Sequence, residues 1–591
     1  MFKTSYTLVL FAILFCATNI QGQKRKKAKE NEQVMVDNSP PKLVVGIVVD
    51  QMRYDYLTRF WNHYGEGGFK RLVTQGFTCK NHHFNYAPTS TGPGHASVYT
   101  GTTPAVHGII GNDWYDKETD EEVYVASDDS FQSVGTTSTA GKMSPHRMLT
   151  TTITDQNRLH TQFRGKTIAV AVKDRGAVLP GGHTANAAYW FEGGKDGNWI
   201  TSSYYMDELP TWIQDYNASD EVEKYKKPWT TLKPISEYVE SGTDQNIYEG
   251  RHRGEATTTF PHDLPGLWGK NGGTSLLRAT AYGNSITADF ALAVLKNEDL
   301  GEDAITDFLA ISFSSTDYVG HMYGVNSVEV QDTYLRLDLD LARILTALDQ
   351  KVGAGNYTVF LSADHGAVHV PSFLKDQKIP AGYLDFMDLK SKFNEFLKYT
   401  YGSTDIVKTI SNYQVFLDRK VIDNLDMNLE TVQEEIAMEI LSYPNIDKVY
   451  TGHQLWKNSY SQSSGTPYLV QKGWHQKRSG DVVFVQRPGY ISYSKTGSTH
   501  GSPMIYDTHV PLLFFGKGIK KGATAKRTEI PDIAPTIAVL LGTAFPNGAT
   551  GLTLTGVGAL DDVDDIAIGI VNIVDANITW QFFYNVFKVG G

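Results

Sequence analysis

Six acidic and imidazole side chains are spaced in a way that suits metal binding. Asp317 and His321 are four residues apart in SSTDYVGHMYG, so a helical turn would place both on one face. Asp364 and His365 are adjacent in SADHGA and can reach two neighbouring cations. A mixture of carboxylate oxygen and imidazole nitrogen suits zinc. The candidate ligands are Asp50, Asp317, His321, Asp364, His365 and His500.

Each of these residues alone is a weak signal, because an Asp at the end of a strand more often caps the following helix. Their combination is more specific. Six such residues at one edge of a sheet indicate two cations about 4 Å apart, which clamp the attacking and leaving oxygens of a displacement at phosphorus.

A nucleophile for this chemistry lies in APTSTGPGHASVYTG, just before a predicted helix. Of Thr89, Ser90 and Thr91, we favour Thr91 because it is nearest the helix N-terminus, where backbone N–H groups and the helix dipole attract an anion. The simpler alternative is that Thr91 only caps the helix. We interpret His95 as a buried hydrogen-bonding residue rather than a ligand.

Short apolar runs rich in Val and Ile adjoin these residues, as parallel strands buried on both faces do. They are LVVGIVV before Asp50, TIAVAV before Lys173, FLAISF before Asp317, YTVFLSA before Asp364 and VPLLFFG after His500. Helix-like segments alternate with them, such as 327–350, whose apolar face includes Leu335 and Leu339. We predict an α/β fold with a mostly parallel central sheet and helices on both faces, and ligands at the carboxyl ends of its strands.

Composition excludes several classes of protein. The 54 Lys and Arg against 65 Asp and Glu give a net charge of −11, so nucleic acid is not expected as the main partner. Hydrophobic residues make up 41% and charged residues 20%, which is typical of a globular protein rather than a disordered one.

The N-terminus has the layout of a secretory signal peptide, with an apolar run from Leu8 to Ala17. The run is shorter than the about 20 residues that span a bilayer, and we expect cleavage near Gly22 and export to the periplasm or the medium. Cys16 raises the weaker alternative of a lipoprotein anchor. Without the signal, Cys79 is the one remaining cysteine, so no internal disulfide is expected and no transmembrane segment remains.

The expected organisation has one catalytic domain. We predict a signal peptide at 1–22, a basic linker at 23–42, a catalytic domain at 43–550 and a tail of unassigned role at 551–591. Two long stretches, at about 185–273 and 371–480, are interpreted as insertions that cap the sheet.

Several motifs together carry a family resemblance. They are IVVDQMR at Asp50, TGPGHASVYTG at Thr91, GIIGNDWYD at Asn112, VKDRGAVLPGGH at Lys173 and Arg175, SSTDYVGH, SADHGA, and THGSPMIYDTHVPLLFFG at His500. This set resembles the alkaline phosphatase superfamily, most closely its exported zinc alkaline phosphatases that use a Thr nucleophile and lack the third, magnesium site.

The resemblance implies two zinc ions and no organic cofactor. One zinc would lie among Asp50, Thr91, Asp364 and His365, and the other among Asp317, His321 and His500. Thr91 would attack phosphorus to form a phosphothreonine, which is then hydrolysed to release phosphate.

The resemblance also implies how substrate is bound. Asn112 would hydrogen-bond a phosphoryl oxygen, and Lys173 and Arg175 would contact the oxygens that a monoester leaves free. A monoester dianion carries more charge on those oxygens than a diester does, so two cations favour it. Alternate positions on an extended segment would point both side chains to the same side. We therefore expect an enzyme acting on small-molecule phosphate monoesters. The motifs do not determine the oligomeric state, and a monomer is the default expectation.

Three other interpretations compete with this one. A nucleotide pyrophosphatase or phosphodiesterase of the same superfamily shares the ligands and the Thr nucleophile, and only Lys173 and Arg175 argue against it. A sulfatase needs Cys or Ser in a Cys/Ser-x-Pro-x-Arg context, whereas this chain has TGPGH from Thr91. A binding module on a degenerate phosphatase scaffold would lack a ligand, and the sequence has all six.

Overall fold

A ten-stranded sheet forms the centre of the computed structural model, which describes residues 39–195 and 197–558. From one edge to the other, its strands are Gly522–Glu529, Phe77–His83, Leu512–Gly516, Tyr357–Ser362, Leu43–Val49, Asp307–Phe313, Thr167–Ala171, Ala187–Glu192, Asn198–Ser202 and Ser133–Val134. The five adjacent strands from Tyr357–Ser362 to Ala187–Glu192 are parallel. The α/β fold predicted from the sequence is therefore confirmed.

Burial explains why the apolar runs form the centre of this sheet. Every residue of Leu43–Val49 and of Asp307–Phe313 is buried, so both faces of these strands are covered. The run after His500 behaves differently from the other four. Its strand, Leu512–Gly516, is antiparallel to both of its neighbours.

Helices accompany the strands in the order that the sequence pattern predicts. Those of eight residues or more around the main sheet are Thr91–Thr100, Ile153–His160, Asp174–Gly181, Thr211–Ala218, Tyr282–Asn297, Ser315–Tyr323, Val328–Leu348 and Ile533–Leu541. Shorter ones are Asp55–Arg59, Phe69–Gln75, Pro104–His107, Leu264–Leu267, Pro371–Asp376 and Ile505–Thr508. Ser327 caps the longest helix by accepting from the backbone N–H of Val330 at 3.1 Å. Within it Leu335 is buried, but Leu339 is 47% exposed, so the predicted apolar face was wrong at that position.

The second inserted stretch builds a sheet of its own. Four antiparallel strands lie in the order Val407–Ser411, Gln414–Leu417, Val482–Gln486 and Ile446–Thr451. The helices of this unit are Phe386–Tyr401, Arg419–Asn424, Leu429–Leu441, Gly452–Lys457 and Thr466–Gly473. A separate apolar cluster that includes Phe393 and Ile436 stabilises it. Because its third strand reaches Gln486, the insertion ends after residue 480.

Two small two-stranded sheets are also present. One pairs Gly382–Tyr383 with Tyr490–Ile491, and the other pairs Asp113–Asp116 with Glu121–Tyr124.

The first inserted stretch begins later than predicted. Residues Ala187–Glu192 and Asn198–Ser202 belong to the central sheet, so the excursion starts after Ser202 rather than at about 185. Its far end is tied to the longest helix by a buried imidazole: His262 contacts Glu255 at 2.7 Å and Glu329 at 3.2 Å.

The ends of the chain are only partly described. The predicted signal peptide, most of the basic linker and residues 559–591 lie outside the described residues. The start of the predicted tail packs on the domain, where the N–H of Leu554 donates to Thr536 Oγ1 at 3.0 Å. Cys79 is buried and free. Among the described helices, none combines the length and apolar character needed to cross a membrane.

The His262 contacts predict a pH-dependent stability. Burial lowers the pKa of His262, but the two glutamates outweigh it and raise that pKa to about 9. The charged form therefore stabilises the fold fully below pH 6.5, and this contribution is lost as the pH rises through about 9. His262→Gln should lower the free energy of unfolding at pH 6 by about 1.5–3 kcal/mol, and by clearly less above pH 9.

Chemical unfolding of the wild type and of the variant across pH 6–10 measures this difference in the free energy of unfolding. Glu329 contacts His262, and burial raises the pKa of Glu329 to about 6, so the difference between the two proteins reports the His262–Glu329 pair rather than His262 alone. A difference that does not change with pH would show that His262 is neutral in the fold.

Candidate active site

The predicted site residues converge at one edge of the central sheet. Asp50 follows strand Leu43–Val49, Asp364 follows Tyr357–Ser362, and Lys173 follows Thr167–Ala171. Asp317 lies in the first turn of the helix that follows Asp307–Phe313. Because these four strands are adjacent and parallel, their carboxyl ends share an edge. All four side chains are buried, with relative exposures between 0% and 4%.

Asp50, Asp364 and His365 form a first group whose ligand atoms all lie within 4.8 Å of one another. His365 Nε2 is 3.5 Å from Asp50 Oδ1 and 3.7 Å from Asp364 Oδ2. Within the described residues these three atoms are buried and have no hydrogen-bond partner. Ligands placed tetrahedrally about 2.0 Å from a zinc ion are about 3.3 Å apart. The three atoms therefore fit a shared cation, which would relieve the cost of leaving buried carboxylate oxygens unpaired.

Asp317, His365 and His500 form a second group with the same spacing limit of 4.8 Å. Asp317 Oδ1 is 3.1 Å from His321 Nε2 and 3.9 Å from His500 Nε2. The rings of His365 and His500 stack with their centroids 3.4 Å apart. All six predicted ligand side chains are thus brought together. The partition differs from the one that the resemblance implied, since His365 belongs to both groups.

The three imidazoles are oriented for metal binding. In each ring Nδ1 contacts a carbonyl oxygen, which makes Nδ1 the donor and leaves the Nε2 lone pair facing the site. The carbonyls belong to Ser498 for His321, Gly366 for His365 and Thr89 for His500, at 2.7, 3.0 and 2.8 Å. Burial lowers the pKa of His365 to about 3 and that of His500 well below its ordinary value, which favours neutral rings. At His321 burial also lowers the pKa, but the Asp317 carboxylate outweighs it and raises that pKa.

Thr91 is the first residue of the helix Thr91–Thr100 and is 1% exposed. The cap is Ser90, whose side chain makes no capping hydrogen bond, so Thr91 is not the N-cap. Gly94 lets this helix approach the metal-binding edge, because a Cβ there would lie 2.4 Å from the carbonyl oxygen of Asp364. His95 makes the buried hydrogen bonds predicted for it, to Thr91 O and Ser312 Oγ at 2.8 Å each.

Lys173 lies between the two ligand groups. Its Nζ is 2.6 Å from Asp50 Oδ2 and 2.6 Å from Asp317 Oδ2, and it is 3.4 Å from Thr91 Oγ1. Burial disfavours the ammonium, but the two carboxylates outweigh it and raise the pKa of Lys173 above its ordinary value. A permanent positive charge therefore lies beside the predicted nucleophile.

Arg175 is held by two residues that no sequence pattern singled out. It lies in the first turn of the helix Asp174–Gly181, so the expectation that it alternates with Lys173 on an extended segment was wrong. Its Nη1 donates to the Tyr124 hydroxyl at 3.1 Å, and that hydroxyl donates in turn to the Asp174 carboxylate. Tyr124 comes from the hairpin that follows Asn112, a link that only the folded chain reveals.

Asn112 and Gln51 complete the surroundings of the site. Asn112 Oδ1 accepts the N–H of Gly92 at 2.8 Å, directly after Thr91, which leaves its Nδ2 protons as the ones to donate. Gln51 hydrogen-bonds both Asp364 and Asp317 and was also missed from the sequence.

Comparison with known proteins identifies the family of this chain. The model of type I phosphodiesterase / nucleotide pyrophosphatase matches residues 44–510. A Myroides odoratus protein named calcium-transporting ATPase is 47% identical over 519 residues, covering 86% of this chain and 93% of that protein. Alkaline phosphatase PafA of Elizabethkingia meningoseptica is 45% identical over 521 residues, covering 88% of this chain and 94% of PafA.

Solved structures extend the similarity to the fold. Wild-type PafA matches with a TM-score of 0.84 at 44% identity, covering 88% of this chain and 99% of that one. A PafA variant with one threonine, one asparagine, one lysine and one arginine substituted also matches, with a TM-score of 0.84 at 43% identity and the same coverage. The chain therefore belongs to the type I phosphodiesterase / nucleotide pyrophosphatase family.

Proposed function

We propose that the chain is an alkaline phosphatase that hydrolyses phosphate monoesters through a covalent phosphothreonine at Thr91. The observation that carries this proposal is the convergence of Asp50 Oδ1, Asp364 Oδ2 and His365 Nε2, all buried and unpaired within the described residues. The 45% identity to alkaline phosphatase PafA supports the same activity.

Two zinc ions are the metals that the donor set favours, since neutral imidazoles and carboxylates are zinc ligands. We assign Asp50, Thr91, Asp364 and His365 to one ion and Asp317, His321 and His500 to the other, with His365 close to both. When bound, the two ions lower the pKa of a coordinated hydroxyl and stabilise charge on the attacking and leaving oxygens. No organic cofactor is needed for this chemistry.

The protein residues then have distinct tasks. The Thr91 oxygen attacks phosphorus in line with the leaving oxygen, forming one P–O bond as the other breaks. Lys173, 3.4 Å from Thr91 Oγ1, stabilises negative charge at the attacking side. In the second step water attacks the phosphothreonine, which releases phosphate and restores the Thr91 hydroxyl.

Preference for a monoester rests on the cations that face the free phosphoryl oxygens. A diester carries an ester group where a monoester has a third charged oxygen, so Lys173 and Arg175 together gain more from a monoester than from a diester. The residue types substituted in the PafA variant are those of Thr91, Asn112, Lys173 and Arg175, which supports this assignment.

ATP is also expected among the substrates. Its terminal phosphoryl group presents the same three non-bridging oxygens as a simple monoester, so the same residues can bind it. The name of the Myroides odoratus relative, calcium-transporting ATPase, agrees with this expectation.

Export is proposed from the N-terminal sequence. Residues 1–22 have the charged, apolar and small-residue order of a signal peptide. We infer an enzyme in the periplasm or the medium that releases phosphate from small-molecule esters.

Removal of the nucleophile should abolish turnover. Thr91→Ala is expected to lower kcat/KM for an aryl phosphate by at least about 10³-fold, because the covalent step is lost. Thr91→Ser should retain more activity, since it keeps a hydroxyl. Acid quenching followed by peptide mass spectrometry should find one phosphoryl group on Thr91 in the wild type. Ser90→Ala is the matched control and should remain active; a phosphoryl group on Ser90 would contradict the assignment.

Metal removal should abolish activity reversibly. Dialysis against a strong chelator is expected to lower the rate by at least about 10³-fold, and zinc should restore it with two ions bound per chain. Elemental analysis gives the number of zinc ions bound per chain, and an activity assay on the same samples gives the rate. Full activity in the metal-free protein would refute the mechanism.

Tyr124 should act on substrate choice through Arg175. Arg175→Gln is expected to lower kcat/KM for a monoester by about 10- to 100-fold, the value of a charge-assisted hydrogen bond, and to change that for a diester little. Tyr124→Phe should cause a smaller loss of the same kind, because Arg175 remains but is no longer held. Lys173 is less suitable for this test, since its removal also leaves Asp50 and Asp317 unneutralised.

Tyr401→Phe is the matched control for Tyr124. Its hydroxyl donates to Glu435 at 2.7 Å in the second insertion, remote in sequence from every site residue. Equal losses for monoester and diester in Tyr124→Phe would mean that Tyr124 supports the fold rather than the orientation of Arg175.

A further inference from the structure

Gln51 has an unusual backbone for a buried residue. It directly follows Asp50 and is 2% exposed. Its φ of 62° lies in the left-handed region that residues other than glycine rarely adopt. Such a conformation persists where the surrounding contacts require it, and it is found disproportionately at functional sites.

The contacts of Gln51 reach both ligand groups. Its backbone N–H donates to Asp364 Oδ1 at 3.1 Å, and its side-chain Nε2 donates to Asp317 Oδ1 at 2.6 Å. Asp364 belongs to the group with Asp50, and Asp317 belongs to the group with His500. One residue therefore holds one carboxylate of each group.

Each hydrogen bond selects which carboxylate oxygen faces which partner. At Asp364 the bond occupies Oδ1, and the unpaired Oδ2 is the atom 3.7 Å from His365 Nε2. At Asp317 the bond holds Oδ1 beside His321 Nε2, while Oδ2 pairs with Lys173. Rotation of either carboxylate would break its contact with Gln51.

The helix Ser315–Tyr323 is shaped to admit this side chain. A Cβ at Gly320 would lie 1.9 Å from Gln51 Oε1, so a side chain there would displace the carboxamide from this position. Oε1 faces this helix, and Nε2 is a donor, so neither atom is arranged as a metal ligand.

We propose that Gln51 is a positioning residue that fixes the carboxylates of the two metal groups relative to each other. This inference rests on the proposed two-metal function. Hydrogen-bond partners of metal ligands set ligand orientation, and their loss commonly costs 10- to 100-fold in metal affinity.

Gln51→Met tests the proposal, because it keeps the side-chain length and the backbone N–H but removes the amide donor. The full chain without residues 1–22 is loaded with zinc and titrated with a chromophoric chelator. We expect the zinc ion assigned to Asp317 to be removed at a free chelator concentration about 10- to 100-fold lower than in the wild type. The other ion should be affected less, since the bond to Asp364 remains. Excess zinc should restore most of kcat.

Two further variants make the test independent of one substitution. Gly320→Ala displaces the carboxamide without substituting Gln51, and it should weaken the binding of the same zinc ion. Gln433→Met is the matched control: Gln433 is 4% exposed in the second insertion and accepts the N–H of His453 at 3.1 Å. It should retain zinc as the wild type does.

Wild-type zinc retention in both Gln51→Met and Gly320→Ala would overturn the positioning role. Failure of the proposed function looks different, since a wild-type chain that binds two zinc ions but hydrolyses no monoester would overturn the activity alone. Zinc retention in the variants would still decide the role of Gln51 in that case.

Discussion

Electrostatic repulsion among Asp50, Asp317 and Asp364 is the constraint on which the site depends. All three carboxylates are buried at one sheet edge, and removing an unpaired charge from water costs several kcal/mol. Either positive charge lies among them or one of them holds a proton, and burial together with Asp50 raises the pKa of Asp364 well above its ordinary value. Lys173 supplies one such charge to Asp50 and Asp317, and the unpaired oxygens of Asp50 and Asp364 mark where cations complete the balance.

The fold supplies the geometry that this balance requires. Adjacent parallel strands deliver the three carboxylates and Lys173 to one edge, and glycine at 94 and 320 lets two helices close on them. The second insertion also contributes, because Asn412 Nδ2 donates to the carbonyl of Asp113 at 2.6 Å, beside Asn112. The insertion thus supports the segment proposed to bind phosphate, which ties substrate binding to a unit with its own core.

The parallel strands and the residues at their carboxyl ends could be predicted from the sequence. Apolar runs rich in Val and Ile identified the parallel strands, and the residues that follow them, such as Asp50 and Asp364, could be placed together because parallel strands end at one edge. The sequence did not predict contacts between distant segments. The left-handed backbone of Gln51 and the link from Tyr124 to Arg175 depend on side chains meeting across the fold. The alternation assumed for Arg175 was wrong because a helix begins at Asp174.

The most direct test of the account is the ratio of kcat/KM for an aryl phosphate monoester to that for its methyl diester, measured on zinc-loaded protein without residues 1–22. Charge-assisted hydrogen bonds contribute about 1.5–3 kcal/mol each, so two of them predict a preference for the monoester of at least about 100-fold. A preference for the diester would mean that Lys173 and Arg175 do not face the free phosphoryl oxygens, and the phosphodiesterase activity named for the family would replace the one proposed.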